Sequence, residues 1–133
     1  ERKFLAESKN ISYKITLGND LRLDFLEELD MISIVGNLLD NALGAAEKTK
    51  DGRYVECRMY MGNEEHFLVM EFCNGYVVPL LKDKDRYIST KRDADSHGIG
   101  LHTVGKLVKK YAGIMRVEVG EQEFSVKLIF TIK

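Results

Sequence analysis

Cysteine, proline and unbroken apolar sequence are all scarce in this chain of 133 residues. The two cysteines, Cys57 and Cys73, sit inside strand-like apolar runs and lack metal-ligand spacing. They point to buried free thiols in a reducing compartment, not to a structural zinc site. No apolar run approaches the length of a membrane span, and the charged start ERKFLAESKN carries no signal-peptide pattern, so a soluble polypeptide is expected. The chain opens without Met inside a helix-like segment, which suggests a domain cut from a longer protein. An excess of one charge is also missing: 20 basic and 21 acidic side chains give a net charge of -1. Nucleic-acid and membrane-surface binders want a basic face, and neither partner is expected. What is present, 44% hydrophobic and 31% charged residues, fits one domain over residues 1–133 with a single core.

Periodicity divides the chain. Residues 1–9 read as the tail of an incoming helix. Ile11, Tyr13, Ile15 and Leu17 alternate with polar residues as a half-buried strand, and Leu21, Leu23 and Phe25 form a second, shorter alternating piece. Asp30 is the expected N-cap of a helix running to about Lys48. Two strands, near 54–61 and 67–73, form a hairpin through Gly62-Asn63. Residues 75–96 hold the only proline, Pro79, many charges and little periodicity, and read as a mobile lid. A helix over about 98–111 and two strands, 114–119 and 124–132, close the chain. Hairpins and two helical regions predict a two-layer α/β (α+β) sandwich, with a mixed, mainly antiparallel sheet covered by helices on one face.

Two stretches carry the chemistry. In GNLLDNALGAAEK, Asn37 and Asn41 lie one turn apart, with Gly44 and Lys48 in the same narrow sector beside the apolar face of Ile34, Leu38, Leu39 and Ala42. An Asn amide oxygen is a hard ligand suited to Mg2+, which shares its shell between one or two protein oxygens, water and substrate phosphates. Asn41 is the expected Mg2+ ligand, with Asn37 beside it. In STKRDADSHGIGLHTVGKL, Gly98 and Gly100 flank Ile99 and precede Leu101 where a helix opens. Backbone N–H groups there are free to face phosphate oxygens. Alone, the first stretch is a helix with two amides facing solvent and the second a helix-entry turn. Together they point to a phosphate and metal site.

These residues resemble the nucleotide-binding domain shared by sensor histidine kinases, type II topoisomerases, the Hsp90 chaperones and mismatch-repair ATPases, known as the GHKL or Bergerat fold. NLLDNA resembles its N-box, FCNGYV stands where its first glycine box falls, and HGIGL resembles its second. Asn74 and Ser89-Thr90-Lys91 are similar to peptide quorum-sensing receptor kinases of the accessory-gene-regulator type. The resemblance implies ATP with Mg2+, adenine near Asn74, and phosphates near Thr90, Lys91, His97, Gly98, Ile99, Gly100 and Leu101. It also implies transfer of the γ-phosphoryl group to a His on a dimerisation domain outside this chain, with a response regulator downstream. The setting would be the cytoplasmic side of an integral membrane receptor, homodimeric at full length, and the isolated domain is expected to be monomeric.

Departures from the family pattern shape the reading. Hydrolysing branches carry a Glu one turn before the metal-binding Asn, and this chain has Asn37, whose amide takes no proton at neutral pH. Asp40 and Glu47 lie on a neighbouring stripe as alternative bases. Gly44 stands where many kinases carry a phosphate-binding cation, which leaves Lys48 or Lys91 as replacements. Two other readings stay open: a GHKL ATPase, and a nucleotide-binding or partner-docking module without kinase activity. His66 and His102 read as surface residues, and Tyr87 as a loop anchor.

Overall fold

The computed structural model describes residues 2–49, 52–75 and 99–132. The lid expected over 75–96, with Tyr87, Ser89, Thr90 and Lys91, lies outside the described residues except for Gly75, as do His97 and Gly98.

Strict alternation in the strands gives one apolar face per strand, and pairing brings those faces into register. Strands β1 (Ser12–Leu17), β2 (Tyr54–Gly62), β3 (Phe67–Gly75), β4 (Ile114–Val119) and β5 (Glu123–Thr131) form one sheet in the order β1-β2-β3-β5-β4. β1 and β2 are parallel, and every other neighbour is antiparallel. Across the central strands Cys57, Phe72 and Val126 align in one row and Met59, Met70 and Leu128 in the next, all buried. The opposite face is polar: Glu71 accepts from Tyr60 at 2.6 Å and pairs with Arg58 at 2.9 Å and with Lys127 at 3.8 Å. That contrast fixes the register, since a one-residue slip would bury the charges. Both cysteines are buried free thiols, and burial pushes the Cys57 thiol up to about 12.

Helices α1 (Arg2–Ser8), α2 (Glu28–Glu47) and α3 (Ile99–Lys110) cover the apolar face. α2 buries Ile34, Leu38, Leu39, Ala42, Leu43 and Ala46, spaced as one helical stripe. Two local expectations fail. Leu21–Phe25 is not a strand; it is a turn that places Phe25 edge-on to Tyr111 at 6.1 Å and beside Phe130 at 5.7 Å. Its apolar residues are used under the end of α3, not in the sheet. Asp30 is not the N-cap: Glu27 holds that position in an extended conformation and makes no side-chain cap bond. The missing cap comes from α3's end, where the Tyr111 hydroxyl accepts the Glu27 N–H at 3.0 Å and donates to Asp30 Oδ2 at 2.5 Å. Lys110 Nζ reaches the same oxygen at 2.7 Å.

These contacts set a pH dependence. Hydrogen bonds from Lys110 and Tyr111 hold the Asp30 carboxyl below the usual carboxylate range. A depressed folded-state pKa stabilises above the unfolded value and is lost as pH falls through the folded one. Asp30→Asn is therefore expected to lower the melting temperature at pH 7, with the deficit shrinking over the acid range in which the native carboxyl takes up its proton. Thermal melts across that range test this; a deficit independent of pH contradicts it.

Candidate functional site

At 100° per residue, α2 presents Asp30, Asn37, Asn41, Gly44 and Lys48 along one stripe beside its buried face. α3 lies along the first half of that stripe and runs antiparallel to α2. Its C-terminal end, Lys110 and Tyr111, meets Asp30, and its first turn, at Gly100, meets Asn37. The second half of the stripe, with Asn41, Gly44 and Lys48, therefore lies ahead of the α3 N-terminus. The N–H groups of the first turn, which have no partner within the helix, and the positive end of the helix dipole concentrate there. The last turn of α3 holds Lys109 and Lys110, charges that suit the opposite end.

Asn37 is the joint. Its Nδ2 donates to the Ser33 carbonyl at 2.7 Å and to Ser33 Oγ at 3.2 Å. That leaves Oδ1 facing the α3 backbone at Gly100, where an added Cβ would stand 3.1 Å from it. Glycine at 100 thus permits a close approach that fixes where α3 begins, and Leu101 packs half-buried against the core beside it. Asn41, half-buried one turn on, has no hydrogen-bond partner among the described residues. Its amide oxygen meets the requirements of Mg2+, which takes few protein ligands. Lys48 is exposed and ends α2, donating its N–H to the Ala45 carbonyl at 3.1 Å, as Thr49 does to the Ala46 carbonyl.

Asn74 is 2% exposed near the end of β3, with Nδ2 donating to the Gly75 carbonyl at 2.9 Å. Gly75 belongs to β3 and not to the lid. A Cβ there would stand 2.4 Å from the Gly52 carbonyl oxygen, so the end of β3 is pressed against the loop leaving α2. Beside it, the Tyr54 hydroxyl donates to Glu123, and burial, reinforced by that carboxylate, raises the Tyr54 pKa.

Asp40 and Glu47, the alternative bases, face away from this stripe towards α1. Asp40 pairs with Arg2 and Glu47 with Lys9, each at 2.9 Å. His66 and His102 are exposed, as expected. Ser33, Asp30 and Tyr111 were not singled out as site-building residues. Ser33, four residues before Asn37, was the one legible signal, since i and i+4 residues meet on a helix.

Comparison with known proteins gives a consistent picture. Residues 26–131 match the GHKL domain family. The sensor histidine kinase DpiB of Escherichia coli (strain K12) is 33% identical over 98 residues, covering 70% of this chain and 18% of that protein. The sensor histidine kinase CitA of Klebsiella pneumoniae is 32% identical over 96 residues, covering 70% of this chain and 17% of that protein. The chain thus spans less than a fifth of the length of these curated relatives. Among solved structures, the catalytic domain of the histidine kinase ThkA superposes with a TM-score of 0.62 at 15% identity, over 98% of this chain and 88% of that one. The shared fold is the one expected from the sequence.

The Asn37–Gly100 contact makes a testable pair. Alanine at an ordinary helical glycine gains up to about 1 kcal/mol, but Gly100→Ala pushes against an amide anchored to Ser33. It is expected to destabilise the native chain and to be neutral or stabilising in an Asn37→Ala background. Denaturant unfolding of the four variants of this double-mutant cycle measures the coupling, expected at about 1 kcal/mol. Additive effects would show that the two helices are not joined here.

Proposed function

This chain belongs to the GHKL domain family, and from that premise we propose that it is the ATP-binding catalytic domain of a sensor histidine kinase in two-component signalling. In this reading it binds Mg-ATP and donates the γ-phosphoryl group to a His on a dimerisation domain outside the chain; the similarity to the sensor histidine kinases DpiB and CitA supports a kinase role. The observation that carries it is the α3 N-terminus lying ahead of Asn41. A half-buried hard oxygen and a helix's positive end converge on one stretch of α2 that is uncovered among the described residues.

Asn41 is the residue we assign to hold Mg2+, which would supply charge neutralisation at the phosphates. Asn37 positions the first turn of α3, so that backbone N–H groups at Gly100 and Leu101 are set for phosphate. Lys48, or Thr90, Lys91, His97, Gly98 and Ile99 in the preceding segment, completes the phosphate side. Asn74 at the end of β3 is assigned to adenine, an amide able to offer both a donor and an acceptor to one ring edge. The transfer breaks the bond from the γ-phosphorus to its bridging oxygen and forms one to an imidazole nitrogen. ADP leaves with the electron pair. The acceptor is the nucleophile, so this domain's task is to orient and neutralise.

Hydrolysis is disfavoured. The amide of Asn37 is committed to Ser33, and the neighbouring carboxylates Asp40 and Glu47 are paired with Arg2 and Lys9. The finer likeness to receptor kinases of the accessory-gene-regulator type, with quorum sensing and a membrane receptor as the setting, rests on Asn74 and Ser89-Thr90-Lys91 and is part of this proposal. No helix of the described residues is long and apolar enough to cross a membrane. The homodimer and the downstream response regulator likewise belong to the proposed longer protein.

Titration with a non-hydrolysable ATP analogue tests the reading. The native chain is expected to bind in a Mg2+-dependent manner, and Asn41→Ala to weaken binding about tenfold with Mg2+ and much less without it, while the melting temperature holds. No binding at millimolar nucleotide would remove both the kinase and the ATPase readings and leave a docking module.

A further inference from the structure

We propose that the outer edge of β4 is a self-recognition surface: two copies of the chain join β4 to β4, antiparallel, about a two-fold axis at Val117, in one continuous sheet with five strands from each copy. This inference is independent of the nucleotide reading. β4 ends the sheet and pairs with β5 in an unbroken register, from Ile114 opposite Ile129 to Val119 opposite Phe124. Two hydrogen bonds fix which of its backbone groups point outward. Ile132, just after β5, donates to the His66 carbonyl on the β3 side, and Gly120 donates to the Glu123 carbonyl on the β4 side. The N–H and C=O of one residue share a direction that alternates along an antiparallel strand, so the odd-numbered residues of β5 face β4. Their partners Ile114, Arg116 and Glu118 bond to β5. Met115, Val117 and Val119 turn their N–H and C=O outward, to no strand of the described residues.

Edge strands are ordinarily blunted by lysine, proline or a bulge, because a row of unpaired backbone groups invites another strand. β4, with the sequence IMRVEV and a continuous register, has none of these. Its apolar side chains are exposed instead: Ile114 is 53%, Val117 45% and Val119 57% exposed. The opposite edge of the sheet differs. β1 carries Lys14 at its middle and no acid, so a copy of itself meets only like charge there.

Charge complementarity selects a second copy of the chain as the occupant, and a single register for it. Outward-facing residues must oppose one another across an antiparallel pair. With Val117 opposite itself, Met115 meets Val119 of the second copy, and each such pair exchanges two backbone hydrogen bonds. Arg116 then meets Glu118 of the second copy at the closely spaced, non-hydrogen-bonded positions, twice by symmetry. Both side chains are exposed and make no ion pair among the described residues. A shift of the second copy by two residues either way sets Arg116 against Arg116 or Glu118 against Glu118, and like charges repel. The assembly closes at two copies, since both remaining edges are β1 with its Lys14. Six residues a side are far fewer than the roughly 20 to 30 of a stable interface, so the pairing is weak and reversible. At low micromolar concentration the chain is still the monomer expected from its sequence.

Sedimentation equilibrium over a concentration series tests the proposal. The native chain is expected to pass from monomer to dimer, and no further, below roughly 1 mM. Arg116→Glu and Glu118→Arg each set like charges opposite one another twice, and each is expected to weaken the dimer about tenfold. An equimolar mixture of the two variants is expected to recover association as a heterodimer, and so is the chain carrying both substitutions. Val117→Pro removes an N–H that points outward, and is expected to abolish the dimer while the circular dichroism spectrum holds. A native chain still monomeric at roughly 1 mM overturns the proposal. Growth beyond the dimer, a dimer indifferent to both charge reversals, or a variant mixture that associates no better than its components overturns it equally.

Discussion

The antiparallel docking of α3 on α2 is the constraint on which the candidate site depends. It is made at two points of different chemistry: a charge-assisted cluster of Asp30, Lys110 and Tyr111 at one end, and the backbone-to-amide contact of Gly100 with Asn37 at the other. Between them α3 is held in register. Because α3 meets Asn37 at Gly100, one turn before Asn41, that stretch of α2 is left uncovered among the described residues, ahead of a helix N-terminus. The sheet contributes by holding α2 in place and by bringing Asn74 to the end of β3, against the loop that leaves α2.

α2 thus serves three surfaces with twenty residues. One stripe is buried against the sheet, a second holds α3 and leaves the Asn41 end open, and a third receives α1. The outer carboxylates belong to the third stripe, and their ion pairs turn them away from the second. This partition explains how one helix carries acidic residues close to Asn41 without offering a base there.

Much of this was legible in the sequence because it follows from periodicity. The five strands, the long helix and the two-layer mixed sheet come from alternation and from 3.6-residue spacing, and the Asn stripe follows from the helix alone. What was not legible depends on cross-chain geometry. Asp30 looks like an N-cap by residue type, yet Tyr111, 81 positions away, supplies the cap and takes Asp30 as its acceptor. Leu21 to Phe25 alternates like a strand, but its partners are Tyr111 and Phe130 and not a sheet edge. Nothing in the spacing shows that Gly100 is needed because Asn37 stands against it. The parallel pairing of β1 with β2 is likewise set by packing.

The central claim is that nucleotide phosphate sits between Asn41 and the first turn of α3. Backbone and side-chain amide NMR of the native chain, titrated with Mg2+ and a non-hydrolysable ATP analogue, measures this residue by residue. Shifts concentrated at the Asn41 side-chain amide and at the Gly100 and Leu101 N–H groups, with the Arg58, Glu71 and Lys127 face silent, are the expected result. Shifts centred on that opposite face, or saturation with Asn41 and Gly100 unmoved, would contradict it.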